Sequence, residues 1–331
     1  MKKIVKKIMS LTGALCLLLV LLCGQAFADP DGVILTPALE WATGDQSILF
    51  GNLQKKPVSI KLFDSSPDST QPADEPTRSN DNEIPISVDG TPKGHGFMID
   101  GVTYVSIREF GDMLDMPIEV AWDPEASILL ATAEGFTLTL DPEAGYMTAN
   151  DRCFYLPNKA HSVEGTIVVP IREMARCLSV EVEWEAETRS ISIITPEDGP
   201  AFLTPAEEYY VEEDLYWLSR IIYSESGNQP MEGMMAVGNV VLNRVADPTC
   251  PDSIYEVIFD NRYGVQFSVT ETGAIYLEPN ERSVVAAKLC LEGYKVVGDC
   301  LFFVNPKTGS VGWFESTRVH YATIGEHAFY I

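Results

Sequence analysis

Apolar residues recur in two rhythms along the chain. From residue 212 onward the rhythm is helical: Leu215, Leu218 and Ile222 fall at offsets of three and four, the buried stripe of an amphipathic helix. Met234, Val237, Val241 and Val245 repeat the spacing and predict a second buried helix, with Gly238 allowing close helix contact and Asn243 and Arg244 at its end. Residues 252–259 read as a shorter helix and residues 281–292 as a longer one. Between residues 86 and 196, strand-length runs bounded by turn signals replace the helical period. The expected architecture is multidomain, with a mainly helical α+β domain following a β-rich one.

The β-rich part is an internal repeat. The run Asp100-Gly101-Val102-Thr103-Tyr104-Val105-Ser106-Ile107-Arg108-Glu109 returns as Glu164-Gly165-Thr166-Ile167-Val168-Val169-Pro170-Ile171-Arg172-Glu173, so Gly101 recurs as Gly165. Farther on, Ile118-Glu119-Val120-Ala121-Trp122 returns as Val180-Glu181-Val182-Glu183-Trp184. Each copy reads as a tight turn, a strand, a short helix and two more strands. Ser106 and Glu109 have capping-box spacing, while Pro170 suits the first turn of a helix, so the copies start their helices by different means. This tandem resembles the copper amine oxidase N-terminal-like domain of exported bacterial proteins. Copper favours His and soft sulfur ligands. The region offers only His95, His161, Met residues, Cys153 and Cys177 without tight spacing, so a structural or wall-docking stalk is the expectation and no cofactor is assigned.

Candidate chemistry falls in the helical part. One more step along the first apolar stripe reaches Glu225, after which Ser226, Gly227, Asn228 and Pro230 break the helix. A carboxyl on the apolar side of a helix end is desolvated, which raises its pKa. An acid still protonated near neutral pH suits glycosidic cleavage, where the leaving oxygen needs a proton. Periodicity alone also fits a helix-end Glu turned into solvent, since charged side chains are rarely buried unpaired. Tyr263, Gln266, Phe267 and Ser268 combine aromatic, amide and hydroxyl groups in a loop, as a sugar cleft requires. Phe302 and Phe303 read as a core strand; Tyr321, His327 and Tyr330 either return to the cleft or plug the core.

The run Ser224-Glu225-Ser226-Gly227-Asn228-Gln229-Pro230, with Glu232-Gly233 and residues 236–245, resembles the cell-wall hydrolase family typified by spore cortex-lytic enzymes. Gln266-Phe267-Ser268, Leu301-Phe302-Phe303, Asn305-Pro306 and residues 324–330 follow in family order. The resemblance implies a lysozyme-like, mainly helical fold and attack on peptidoglycan glycan strands by one catalytic Glu, which maps onto Glu225. It also suggests Ser226, Gln229, Glu232 and His327 as substrate contacts beside the 263–268 loop. Many members carry a second Glu where this chain has Gln229.

The start of the chain and its charge set the setting. Residues 1–28 read as a secretory signal: Lys2, Lys3, Lys6 and Lys7, an apolar core, then Ala26-Phe27-Ala28 as a cleavage site. An uncleaved anchor, or a lipoprotein through Cys23, are the rival readings. Residues 29–85 read as a disordered spacer, acidic and rich in Pro and Ser toward its end, ahead of the repeat domain at 86–196 and the catalytic domain at 207–331. The formal charge of −25 becomes −29 without the four signal lysines, which excludes a nucleic-acid partner. Membrane contact is expected only through the signal. Five cysteines remain, of which Cys290 and Cys300 read as buried and inert, with one bridge among the last three left open. Neither C-x-x-C nor H-E-x-x-H occurs, so a zinc amidase has no obvious ligand set and no metal is assigned.

The leading expectation is an exported lytic transglycosylase acting at muramic acid with Glu225 as its single acid and base. The alternatives are a hydrolytic muramidase with a second carboxylate such as Glu232 or Glu271, and a non-catalytic wall-binding protein.

Overall fold

The computed structural model describes residues 82–307 and 311–331. The expected signal, and all but the last few residues of the expected spacer, lie outside the described residues. Strand β1 (Glu83–Val88) begins within the stretch assigned to the spacer, because Ile84, Ile86 and Val88 alternate inward and are buried. It is followed by β2 (Thr91–Ile99), β3 (Val102–Ser106), α1 (Ile107–Met113), β4 (Glu119–Asp123) and β5 (Ile128–Ala133). Next come β6 (Phe136–Leu140), β7 (Tyr146–Ala149), β8 (Arg152–Tyr155) and β9 (His161–Val163). The second copy supplies β10 (Thr166–Pro170), α2 (Ile171–Cys177), β11 (Glu181–Glu185) and β12 (Ser190–Ile194).

Each copy has the strand, helix and strand pair read from sequence. Asp100 and Gly101 both take positive φ, as do Glu164 and Gly165, the requirement of a two-residue hairpin turn that matches strand twist. Ser106 Oγ accepts from the Glu109 amide to cap α1, whereas α2 starts after Pro170 with no side-chain cap. Pro170 itself stands at the capping position, one residue earlier than a first-turn proline. The copies diverge in tertiary pairing. A seven-stranded sheet runs β11-β12-β1-β2-β3-β10-β9, while β4 and β5 join a five-stranded meander β4-β5-β6-β7-β8.

The C-terminal part contains α3 (Ala206–Tyr209), α4 (Glu212–Ser226), α5 (Met231–Ala246), α6 (Ile254–Ile258), α7 (Val269–Thr272), a 3-10 turn (Ala274–Tyr276) and α8 (Glu281–Leu291). Beyond them lie β13 (Phe302–Val304), α9 (Val311–Thr317), β14 (His320–Ile324) and β15 (His327–Tyr330), the strands ordered β13-β15-β14. Helix α5 is buried on nearly every side, from Gly233 to Val241, so it is the central helix of this part. A Cβ on Gly238 would lie 2.8 Å from both Cys290 Sγ and Ile222 Cδ1, which explains the glycine where α4 and α8 meet α5. All five cysteines in the described residues are free, and burial pushes the Cys290 thiol up.

Side chains fasten the two domains together. The Glu292 side chain is fully buried and receives Arg152 through two bonds of 2.7 and 2.8 Å. Arg176 donates to the same carboxylate at 2.9 Å and Tyr210 at 2.8 Å. Tyr294 donates to Glu173, and Lys288 to the Asp151 carbonyl at 2.8 Å. Cys153 of β8 is buried in the same apolar cluster as Leu218 and Leu289, and its thiol is pushed up to about 11. This is a closer attachment than the stalk expected from sequence.

Candidate active site

Glu225 sits in the last turn of α4, half-buried, with no hydrogen bond or ion pair among the described residues. Burial alone pushes its carboxyl above the usual carboxylate range. The turn that follows is held from several sides. Ser224 Oγ lies 2.8 Å from the Arg220 carbonyl and 3.0 Å from that of Ala274, to which it donates. Asn280 donates to the Gly227 carbonyl and Arg282 to that of Gln229, both at 3.2 Å, satisfying acceptors that a helix end leaves open. A Cβ on Gly227 would meet Tyr223 at 2.7 Å, so the close turn requires glycine. A carboxyl whose charged form is disfavoured, on such a fixed element, is suited to deliver a proton and as carboxylate to take one back.

Four residues expected to touch substrate are engaged elsewhere. Ser226 is buried, and its hydroxyl donates to the Ile222 carbonyl at 2.9 Å, because the stripe centres on it and leaves Glu225 at the flank. Gln229 is buried and accepts from the Glu326 amide at 2.9 Å, pinning the turn between β14 and β15. Phe267 packs into the core beside Phe303, since a ring that size is stabilised more by burial than by a polar loop. His327 is buried edge-on against Phe303, its Nδ1 without a partner among the described residues and its pKa drawn down by burial. With Ala328, Phe329 and Tyr330 it forms the core plug and does not return to a cleft.

The other expected contacts are exposed but dispersed. Tyr263 and Gln266 line a cavity of about 340 Å3 with Arg244, Asp260, Phe302 and Arg318; Glu225 is not among its lining residues. Ser268 is exposed at the start of α7. Glu232 is exposed in the first turn of α5 and accepts from Tyr155 of the repeat domain at 2.9 Å. Along the helix, Glu232 and Arg244 stand about 18 Å apart at 1.5 Å per residue, so the cavity lies at the far end of α5 from the Glu225 turn.

Sequence reasoning passed over the aromatic surface beside α4. Trp217 meets Tyr216, Tyr255 and Tyr276 at ring distances of 4.9, 5.3 and 6.3 Å, and all three tyrosines are exposed. Tyr276 follows Ala274, the residue tied to Ser224. Helical spacing of Tyr216 from Arg220, whose guanidinium lies 3.7 Å from that ring, was the available signal.

The residues of the repeat domain do not fit copper. His161 packs edge-on against Tyr104, and the Cys177 thiol is buried and pushed up. Among the described residues no group of three or more His, Cys, Asp or Glu could hold a metal ion.

Comparison with known proteins gives the class. Residues 228–330 match the family described as Cell Wall Hydrolase, and residues 82–193 match the Copper amine oxidase N-terminal domain. The chain thus carries a C-terminal cell wall hydrolase domain preceded by a copper amine oxidase N-terminal-like domain. Glu225 stands three residues ahead of the first of these matches.

Particular relatives share the C-terminal part. The spore cortex-lytic enzyme of Oceanobacillus iheyensis is 34% identical over 120 residues, 36% of this chain and 42% of the relative. That of Bacillus subtilis is 31% identical over 120 residues, 36% of this chain and 38% of the relative. The match spans less than half the length of these curated relatives. Among solved structures, the catalytic domain of the Bacillus cereus SleB protein is 34% identical, covering 37% of this chain and 92% of that one, with a TM-score of 0.34.

Proposed function

We propose that this protein is an exported peptidoglycan-cleaving glycosidase, a lytic transglycosylase in which Glu225 is the only acid and base. Protonated Glu225 gives its proton to the glycosidic oxygen, and the C1–O bond breaks with its electron pair leaving on that oxygen. The 6-hydroxyl of the muramic residue then attacks C1 and surrenders its proton to the Glu225 carboxylate. The products are a free 4-hydroxyl and an anhydro-muramic end, the acid is regenerated, and no water is consumed. The observation that carries the reading is the carboxyl itself: half-buried, unpaired among the described residues, and pushed above the usual carboxylate range by desolvation. The amide of Gln229, engaged with the Glu326 backbone, supports a route without a second carboxylate.

The relatives named spore cortex-lytic enzyme support wall glycan as the target, and the basic, apolar start of the chain supports export. A zymogram on purified wall tests the reading. Glu225→Gln keeps the shape but cannot protonate, so clearing should fall by about 10²–10⁴-fold, the usual contribution of general acid–base catalysis. Undiminished clearing would remove Glu225 from the mechanism.

A further inference from the structure

The repeat domain carries two grooves related by its internal duplication. One, of about 440 Å3, is lined by Ile171, Arg172, Glu173 and Trp184 of the second copy and closed by Gly101 and Val102 of the first. The other, of about 760 Å3, is lined by Ile107, Arg108, Glu109 and Trp122 of the first copy and closed by Gly165 and Thr166 of the second. Position for position these are the same residues of the repeat, with the copies exchanged. The recurring Ile-Arg-Glu is therefore more than a helix start. It forms one wall of each groove.

Chemistry of the lining points to one class of ligand. Trp122 and Trp184 are 49% and 40% exposed, unusual for the side chain with the largest apolar area to bury. Each is fixed on a strand, β4 or β11, so its ring is a preformed surface with little ordering cost. Each groove is lined by one guanidinium and one carboxylate of the Ile-Arg-Glu run, and the first-copy groove adds Glu143, whose charge is met by Lys159, so both grooves stay close to neutral in a chain of charge −25. A flat apolar face flanked by donors and acceptors suits an uncharged acetamido sugar, and the duplication suits a ligand that itself repeats. An anionic polymer would meet a carboxylate in each groove and a strongly acidic protein around it.

The second-copy groove also adjoins the hydrolase domain. Tyr155, on its lining, donates to Glu232 at 2.9 Å, and Glu173 accepts from Tyr294. Tyr104 lines the same groove, and its buried hydroxyl has no partner among the described residues.

We propose that the paired Trp122 and Trp184 grooves bind the N-acetylated glycan strand and that the Trp184 groove feeds it toward the hydrolase domain. The proposal rests on the wall-acting reading above. Its test is therefore made on the full chain carrying Glu225→Gln, where binding is scored without turnover. The probes are a β-1,4-linked N-acetylglucosamine hexasaccharide, followed by calorimetry, and purified wall sacculi, followed by co-sedimentation.

Trp184→Ala and Trp122→Ala should each weaken binding by about tenfold or more, as loss of an aromatic anchor does. Trp184→Phe should recover most of it, and the double alanine variant should stay in the supernatant. Both rings are surface-exposed, so thermal unfolding should be little changed; Arg172→Gln gives an independent readout on an exposed side chain. Binding by the double variant equal to its parent, or binding abolished by high salt as for an anionic polymer, would overturn the proposal. Failure of the parent to bind either probe would also overturn it. Wall cleavage by Glu225→Gln undiminished from the wild type would count against the catalytic reading alone.

Discussion

Removing the charge of Glu292 should loosen the whole described body, because that carboxylate is where the two domains meet. Glu292→Gln keeps the volume but breaks the paired bonds from Arg152 and weakens those from Arg176 and Tyr210. The Glu292 side chain is fully buried and that of Arg152 only 12% exposed, so this is a buried pair. Taking one member from such a pair costs about 3–5 kcal/mol. Arg176 is 37% exposed, so solvent screening leaves its share below about 1 kcal/mol. The amide retains one acceptor, so a net loss of about 3 kcal/mol is expected. At roughly 2–4 °C per kcal/mol for a body this size, Tm should drop by about 6–12 °C. Denaturant unfolding of Glu292→Gln, Arg152→Gln and the double variant closes a cycle, with an expected coupling of at least about 1 kcal/mol. Asp299→Asn, at the exposed pair with Lys295, serves as the near-neutral control. Additive single effects, or a loss no greater than the control, would refute the claim that Glu292 couples the domains.

His327 binds a proton less readily folded than unfolded, so the stability it contributes is full above its ordinary pKa of about 6.5 and lost as pH falls below it. His327→Phe should flatten that acid limb in melts taken between pH 7 and 5, and an unchanged slope would count against it. Gln229→Ala removes the acceptor of the Glu326 amide and should cost about 1–2 kcal/mol in denaturant midpoint, with KM on soluble wall fragments nearly unmoved. A large KM effect without loss of stability would return Gln229 to the substrate site. If one carboxyl performs both proton transfers, as proposed, activity should survive prolonged chelation; loss with EDTA and recovery with zinc would end the single-acid account.

Features set by neighbours in sequence were legible, and features set by distant partners were not. The paired hairpin turns at Gly101 and Gly165, the Ser106 cap and the buried face of α5 depend on a few adjacent residues, and all were read from pattern. The helix that ends at the Glu225 turn and the breakers after it were legible for the same reason, both being local, although the buried stripe closes on Ser226 and leaves Glu225 at its flank. Arg152 and Glu292 are 140 residues apart, and nothing near either announces the other. Phe267 was placed at the substrate by its polar neighbours in sequence, and Ser226 by the family resemblance. Packing, which sequence neighbours do not fix, turned both into the core. The Trp122 and Trp184 grooves were half legible: the repeat was plain, but each groove needs residues from both copies.

The most direct test of the central claim is mass spectrometry of the muropeptides released from purified wall by the wild-type protein, alongside Glu225→Gln, Glu232→Gln and Glu271→Gln. Wild type, Glu232→Gln and Glu271→Gln should all yield anhydro-muramic ends, and Glu225→Gln should yield about 10²–10⁴-fold less of any product. Reducing-end muramic products from the wild type, with Glu232→Gln or Glu271→Gln inactive, would make the enzyme a two-carboxylate hydrolase and contradict the account.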